Sequence, residues 1–322
     1  MKTLTRRMLA CVALAACATL AMADDFPTRP VKIVVPYAPG GTTDVLARFI
    51  GQRMSDNLGQ PVVVDNRPGA AEAVGAGVVA KSPADGYTLL LVTLTTQAIN
   101  PTLFPKLSFD ATKELTAVGR VADVPAMIAV NPAVPAKNLA EFQSYLKANP
   151  GRNYASPGAG TPNHLATELF KKAAGVQALH IPYKGGAPAV QDLMAGHVDF
   201  MLILAPEAMP LIASGRLRAI AVTSLQRSPM FPDLPTVSES GLKDFELVVW
   251  YTLLAPAGTP PDVIAKLNKS LNFVLNEKAT KDKLGELSIK PAGGTPEEAM
   301  AFAAKEAAKW KKVIEDGNIR AE

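Results

Sequence analysis

The stretch VPYAPGGTTDVLARF, residues 35–49, decides the fold class of this chain. The valine- and isoleucine-rich run before it predicts a buried strand, and the run after it has the spacing of an amphipathic helix. Between the two, a pair of glycines lets the backbone approach a ligand closely, and Thr42, Thr43 or Asp44 can cap the helix. The stretch therefore predicts a strand, a glycine turn and a helix, which is the repeating unit of an α/β fold.

Two later stretches have the same order of residue types: YASPGAGTPNHLATELF at 154–170 and IPYKGGAPAVQDL at 181–193. The first turn of a helix carries about half a positive charge, so each turn predicts a small anion bound by backbone amides and hydroxyls. Taken alone, each turn is also an ordinary strand-to-helix connection. Three such turns together indicate a ligand site, because ligands in open α/β sheets bind at the carboxyl ends of strands.

Runs rich in valine, isoleucine and leucine alternate with helical patterns along the rest of the chain. This alternation is typical of a parallel sheet covered by helices, so the predicted fold class is α/β. Strands are predicted at 31–35, 62–65, 89–92, 127–130, 200–204 and 217–223. Helices are predicted at 43–58, 138–148, 163–174, 187–195, 261–276 and 296–315.

Two long apolar segments bracket the middle third of the chain, Val121–Val130 and Leu247–Ala255. We interpret them as two strands that cross between two domains. With 48% hydrophobic residues, a chain of 322 residues can supply a core for each domain.

Residues 1–23 have the pattern of a secretory signal peptide, with basic residues before an apolar run and a small-residue cleavage site ahead of Asp24. We therefore expect a soluble periplasmic protein. A lipoprotein box ending at Cys17 is the competing interpretation, and it would tether the chain to a membrane. Cys11 and Cys17 are the only cysteines, so soluble export excludes disulfides from the mature chain.

The net charge and the absence of several known motifs exclude some classes of function. The formal charge of +4 falls to +1 without the three basic residues of the signal, so nothing favours nucleic acid. The first turn lacks GxGxxG and GxxxxGK[ST], and neither GxSxG nor HExxH occurs, which argues against nucleotide binding and hydrolysis. His164, His180 and His197 are the only histidines, and they lack the spacing of metal ligands. We expect no cofactor, no metal and no enzymatic activity.

The segment VKIVVPYAPGGTTDVLARFIGQRMSDNLGQPVVVDNRPGA at 31–70, followed by PADGYTLLLVT, NYASPGAGTPNHLATELF, HIPYKGGAPAVQDLMAGHVDFM and WYTLLAPAGTP, gives the chain a wider resemblance. It resembles the Bug (TctC-type) family, the extracytoplasmic solute receptors of tripartite tricarboxylate transporters. The resemblance covers almost the whole mature chain. PYAPGG with DNRPGA, and HIPYKG with the later PTVSE, are specific in combination.

The resemblance implies a two-domain type II periplasmic binding protein fold that closes on a small carboxylate. The implied domains are residues 24–124 plus 250–322, and residues 125–249. The implied partners are the membrane subunits of the transporter, and we expect a monomer. A sensory receptor for a membrane-bound regulator is the alternative. The implied ligand contacts are Tyr37, Ala38, Gly41, Thr42, Thr43 and Asp44 in the first domain, and Ser156, Gly160, Thr161 and His164 in the second.

The chain departs from the family pattern in three places. Relatives usually read RPGAGG where this chain has RPGAAE at 67–72, which adds the acid Glu72 near the first turn. Many relatives place an aspartate near the position of Ile203, and the loop at 93–96 is threonine-rich. One hypothesis is that Glu72 faces the cleft and favours a ligand that carries a nitrogen. The alternative is that Glu72 is solvated on a helix surface.

Overall fold

The computed structural model describes residues 26–104, 106–317 and 319–320. The predicted signal peptide and both cysteines lie outside these residues. Among the described residues, no helix is long and apolar enough to cross a membrane.

The first third of the chain forms three parallel strands with the order β2-β1-β3. These are β1 (Val31–Val35), β2 (Val62–Asn66) and β3 (Thr88–Thr93), and the helices α1 (Thr42–Leu58) and α2 (Ala73–Ala80) connect them. The side chains of β1 are buried at four of five positions because both faces of a parallel sheet are covered. The carboxyl end of β1 therefore delivers the chain directly into the first glycine turn.

A compact helical segment follows β3. It consists of a π-helical turn (Thr95–Ile99), α3 (Asn100–Leu103) and α4 (Ala111–Glu114). The π-helical turn is fully buried, and so its threonines can bond only to neighbouring protein groups.

The longest strand, β4 (Leu115–Val130), joins the two parts of the sheet. Its first part pairs with β9 (Val248–Pro256), and from Ala126 onward it pairs with β7 (Phe200–Leu204) and β8 (Arg218–Val222). The two apolar segments that were predicted to cross are therefore β4 and β9, which lie antiparallel at the centre of the structure.

The middle of the chain repeats the strand and helix alternation in the order β7-β5-β6, with parallel pairs between neighbours. The connecting helices pack against β7 and β5, whereas β6 at the edge is mostly exposed. The elements are α5 (Leu139–Ala148), β5 (Asn153–Ser156), α6 (Pro162–Ala174), β6 (Leu179–Pro182), α7 (Gly186–Ala195) and α8 (Ala205–Ala213).

The last part of the chain returns to the first part of the sheet. It forms α9 (Pro261–Asn276), α10 (Lys278–Glu286), β10 (Lys290–Gly293) and α11 (Pro296–Gly317). β10 pairs with β4, and α11 packs against β4 and the π-helical turn.

The predicted elements occur within about two residues of their observed ends, except that 127–130 is only the last part of β4. The prediction missed α2 and α8, among other short elements. α8 starts immediately after β7 without a turn, so its sequence reads as a continuation of the apolar strand.

Candidate functional site

The three glycine turns lie together at the carboxyl ends of their strands. The Ala38 N–H donates to the carbonyl of Lys184 at 3.0 Å, which joins the first turn to the third. The Tyr183 N–H donates to the carbonyl of Ser156 at 3.0 Å, which joins the third turn to the second. The first part of the sheet therefore contacts the middle part directly through these turns.

A carboxylate from α8 binds the N-terminus of α1. Glu207 Oε1 accepts a hydrogen bond from the Thr42 N–H at 2.7 Å and another from Thr42 Oγ1 at 2.8 Å. The expectation that Thr42, Thr43 or Asp44 caps α1 is wrong, because Gly41 is the N-cap and makes no side-chain cap. The cap comes instead from a residue 165 positions later in the sequence.

The same carboxylate lies against the start of α7. A Cβ built on Gly186 would lie 2.5 Å from both carboxylate oxygens of Glu207, so only glycine leaves room for them. Glu207 itself belongs to the first turn of α8. The N-termini of α1, α7 and α8 therefore meet at one carboxylate, where their dipoles favour negative charge. Burial raises the pKa of Glu207, and the bonds from Thr42 partly offset this.

Asp44 holds the shape of the first turn. Its carboxylate accepts hydrogen bonds from the Gly40 N–H at 3.0 Å, from Asn66 at 2.9 Å and from Arg48 at 3.0 Å. Burial alone would raise the pKa of Asp44, but these bonds outweigh it and keep the pKa below its ordinary value. Its oxygens are thus already engaged within the protein.

Two tyrosines lie under the first turn. Tyr37 is 8% exposed and Tyr251, on β9, is fully buried. The Tyr251 hydroxyl forms no well-aligned hydrogen bond with any described residue, although Thr43 lies beside it. Burial raises the pKa of Tyr251, and the nearby carboxylates of Glu207 and Glu72 raise it further. This hydroxyl therefore lies in the field of two acids and has no well-aligned acceptor among the described residues.

Glu72 is buried, so the alternative of a solvated glutamate is wrong. One oxygen accepts bonds from the N–H and hydroxyl of Thr93, at 2.9 and 2.6 Å. The other accepts the same pair of bonds from Thr96, at 3.0 and 2.6 Å. Burial raises the pKa of Glu72, and these bonds lower it in part. The carboxylate fixes the threonine-rich loop to the turn before α2.

The backbone before α2 is unusual. Ala70, Ala71 and Glu72 have φ values of 46°, 46° and 71°, in the left-handed region that favours glycine. At two of these positions, 71 and 72, the family pattern given above has glycine. The four hydrogen bonds to Glu72 help to hold this conformation in place.

The second turn is internally bonded. Thr161 Oγ1 donates to the carbonyl of Gly158 at 2.7 Å, and His164 Nδ1 accepts from the Gly160 N–H at 3.1 Å. Ser156 Oγ lies 2.6 Å from Nε2 of His180. His164 and His180 stack with ring centroids 4.0 Å apart. Burial lowers the pKa of His180 to about 3, with further lowering by His164 and Lys171.

The second turn also contacts the helical segment after β3. A Cβ on Gly160 would lie 2.8 Å from the Phe104 ring, and Gly160 has a φ of 81°. The predicted site residues thus lie on both sides of one interface between the two parts of the sheet. The first turn meets the third turn there, and the second turn meets Phe104.

The family profile of the tripartite tricarboxylate transporter family receptor (TctC) matches residues 46–319. The chain belongs to this TctC family. Among its relatives, BugT of Bordetella pertussis is 38% identical over 307 residues, which is 95% of this chain and 94% of BugT. TctC family members are solute-binding receptors, and receptors of this family are periplasmic.

Two solved structures show the fold of the TctC family. The R. palustris protein Rpa4515 with adipate is 37% identical and has a TM-score of 0.89, covering 92% of this chain and 99% of its own. MatC of Rhodopseudomonas palustris with bound malate is 33% identical and has a TM-score of 0.86, covering 90% and 100%. The predicted two-domain α/β periplasmic binding protein fold is confirmed.

Sequence reasoning missed Glu207 and Tyr251 in this TctC family member, although it did single out the third turn that contains Gly186. The pair Pro206 and Glu207 directly after a strand is a helix-start signal, with proline and an acid in the first turn. That signal could have located α8. It could not have shown that the carboxylate reaches α1 in the other part of the sheet.

An open groove of about 890 Å³ lies elsewhere, between α1 and α9, and is lined by residues such as Lys266 and Phe273. It contains none of the predicted ligand contacts. We assign the site to the turns because they combine buried hydroxyls, helix N-termini and carboxylates, whereas the groove is an exposed surface depression.

Proposed function

We propose that this chain is a periplasmic solute receptor that captures a small carboxylate-type ligand between two domains and delivers it to the membrane subunits of a tripartite tricarboxylate transporter. The observation that carries the proposal is the binding of a carboxylate, that of Glu207, by the backbone and hydroxyl of Thr42. The site is thus chemically suited to carboxylates. The adipate and malate named for two structural relatives support this class of ligand.

We assign residues 24–124 plus 250–322 to one domain and residues 125–249 to the other. The course of β4 and β9 supports this division, because the chain passes between the two parts of the sheet near these boundaries. Capture then proceeds by domain closure. The open form exposes the turns, and the ligand stabilises the closed form by contacting both domains.

The proposed ligand contacts are those predicted from the sequence. Several of them form hydrogen bonds within the protein in this structure and would bond to the ligand instead. Thr42 donates to the ligand in place of Glu207 or in addition to it. The turn that contains Gly160 packs against Phe104 in the closed form. The remaining proposed contacts are Tyr37, Ala38, Gly41, Thr43, Asp44, Ser156, Thr161 and His164.

The test is isothermal titration calorimetry of the purified mature protein with succinate, glutarate, adipate, malate and amino acids. We expect at least one carboxylate to bind, and a ligand at a hundred times its dissociation constant to stabilise the fold by about 2.7 kcal/mol. Gly41→Leu should abolish that binding, because a Cβ at Gly41 already lies 3.3 Å from Glu207 Oε1. Gly151→Ala, where a Cβ meets nothing within 4 Å, is the control.

Binding of no carboxylate, or equal binding by Gly41→Leu, would contradict the assignment. Delivery is tested separately by measuring uptake of the bound carboxylate in cells with and without the transporter's membrane subunits. Unchanged uptake without them would overturn the transporter role and leave the receptor role intact.

A further inference from the structure

The Glu207 carboxylate is only half satisfied. Both of its hydrogen bonds, from the N–H and Oγ1 of Thr42, end on Oε1. Oε2 accepts no hydrogen bond from the described residues, although it lies against the Gly186 backbone at the start of α7. The Glu207 side chain is only partly buried, so this oxygen is accessible to a donor on a ligand.

The charges around this carboxylate are also unbalanced. Glu72 is a fully buried acid on the first-domain side of the same interface, and the Tyr251 hydroxyl, with Thr43 beside it, is near enough to both acids for their charges to raise its pKa. Among the described residues, neither Glu72 nor Glu207 forms an ion pair with a lysine, arginine or histidine. Carboxylates withdrawn from water are usually paired with a cation, and the part of the chain that the structure describes supplies none to these two.

The side chains of the second and third turns bring no positive charge to Glu207. His180 lies at the second turn, and its low pKa leaves it uncharged near neutral pH. Lys184 of the third turn is exposed, and its backbone carbonyl rather than its ammonium group contacts the first turn. A positive group that approaches Glu207 would therefore meet two acids and no competing charge from these two side chains.

We propose that Glu207 determines ligand specificity: it fills the carboxylate position at the N-terminus of α1, and its free Oε2 accepts a hydrogen bond from a protonated nitrogen of the ligand. The ligand class is then a small molecule with one carboxylate and one cationic nitrogen, such as an amino acid with separated ends. The Tyr251 hydroxyl is available to donate to the ligand's carboxylate. This inference rests on the proposed function and narrows its ligand class.

A dicarboxylate is disfavoured by the same geometry. Its second carboxylate would have to displace Glu207 from Thr42 or lie beside an uncompensated negative charge in an enclosed site, where charges are weakly screened. An ammonium group at the same position in the ligand forms an ion pair with Glu207 instead. The preference for amino carboxylates over dicarboxylates therefore depends on the charge of Glu207.

The experiment compares matched pairs of ligands that differ only in replacing one carboxylate by an amine. The pairs are succinate with 3-aminopropanoate, glutarate with 4-aminobutanoate, and adipate with 5-aminopentanoate. We expect the native protein to bind the amino member at least tenfold more tightly in each pair that binds. Glu207→Gln keeps the shape and removes the charge, so it should reduce this ratio at least tenfold.

Two further variants test the carboxylate position at Thr42 and control for the loss of a surface charge. Glu207→Ala empties the carboxylate position at Thr42, and we expect it to raise affinity for dicarboxylates at least tenfold. Glu286→Gln removes a charge from an exposed glutamate on α10 and should leave every ratio unchanged. Circular dichroism and urea unfolding identify any variant that does not fold, and the ratio in the native protein is measured independently of them.

The outcomes separate the two proposals. If dicarboxylates bind the native protein as tightly as their amino partners, or if Glu207→Gln leaves the ratio unchanged, the specificity role is overturned while the carboxylate receptor stands. If none of the six compounds and no carboxylate of the wider panel binds, the receptor proposal itself is contradicted, and this inference with it.

Discussion

Glu207 and Thr42 lie 165 positions apart in the sequence, yet one carboxylate oxygen of Glu207 accepts both the backbone N–H and the hydroxyl hydrogen of Thr42. The bond pair connects a helix from the middle of the chain to the first helix. It forms at the interface where the three glycine turns meet. The contact therefore makes this interface depend on the charge of one side chain.

Loss of the Thr42 hydroxyl should weaken this connection. Thr42→Val keeps the side-chain volume and removes the donor at 2.8 Å from Glu207. Hydrogen bonds to charged groups contribute about 1.5 to 3 kcal/mol, so we expect a loss of that size in the free energy of unfolding, measured in urea. Thr42→Ser retains the hydroxyl and should stay near the native value. Equal stability of the Val and Ser variants would show that the bond contributes nothing.

A methyl group at Gly186 should displace the Glu207 carboxylate. The added Cβ would lie 2.5 Å from both oxygens, and the glycine has no left-handed conformation to complicate the result. Overpacking of this kind costs about 1 to 3 kcal/mol, which thermal unfolding would show as a lowered Tm. Gly151→Ala adds the same methyl group in open space and should change the stability by less than about 0.5 kcal/mol. Similar Tm values for both variants would mean that Glu207 moves away at no cost.

Glycine at position 70 should stabilise the protein. Ala70 is exposed and has a φ of 46°, a conformation that costs residues other than glycine about 1 to 2 kcal/mol. The greater freedom of glycine in the unfolded chain removes part of this gain, so we expect a net increase of about 0.5 to 1 kcal/mol in the free energy of unfolding. Ala73→Gly, at the first residue of α2, is the matched substitution and should lower it, by less than the roughly 1 kcal/mol that glycine costs inside a helix. A loss of stability in both variants would contradict the argument from φ.

His180 should make the protein less stable in acid. Its pKa is lowered to about 3 by burial, and further by His164 and Lys171, whereas the unfolded chain takes up this proton near pH 6.5. The unfolded state therefore binds more protons between these values, and stability falls as the pH falls from 6.5 toward 3. We expect His180→Gln to reduce this slope by up to about 1.4 kcal/mol per pH unit in urea unfolding. An unchanged slope in His180→Gln would contradict this account of the acid sensitivity.

The sequence by itself determined the α/β class, the strands and helices around the three turns, and the two strands that join the domains. These features depend on local patterns: apolar runs fix the strands, and glycines and caps fix the turns. It also indicated that the turns belong to an anion site, because helix N-termini at the carboxyl ends of strands attract anions, and the resemblance to the TctC family implied that the anion is a carboxylate. The ligand contacts named from those turns stay predictions.

Only the tertiary structure decided which groups face one another across the interface. Local pattern left Glu72 open between a solvated and a cleft position, and the fold buried it under Thr93 and Thr96. Glu207 reads in the sequence as an acid in the first turn of its own helix, but the crossing of β4 and β9 brings it to the first turn of α1. A hydrogen bond between residues far apart in sequence depends on the packing of the whole chain, and no local residue pattern specifies it.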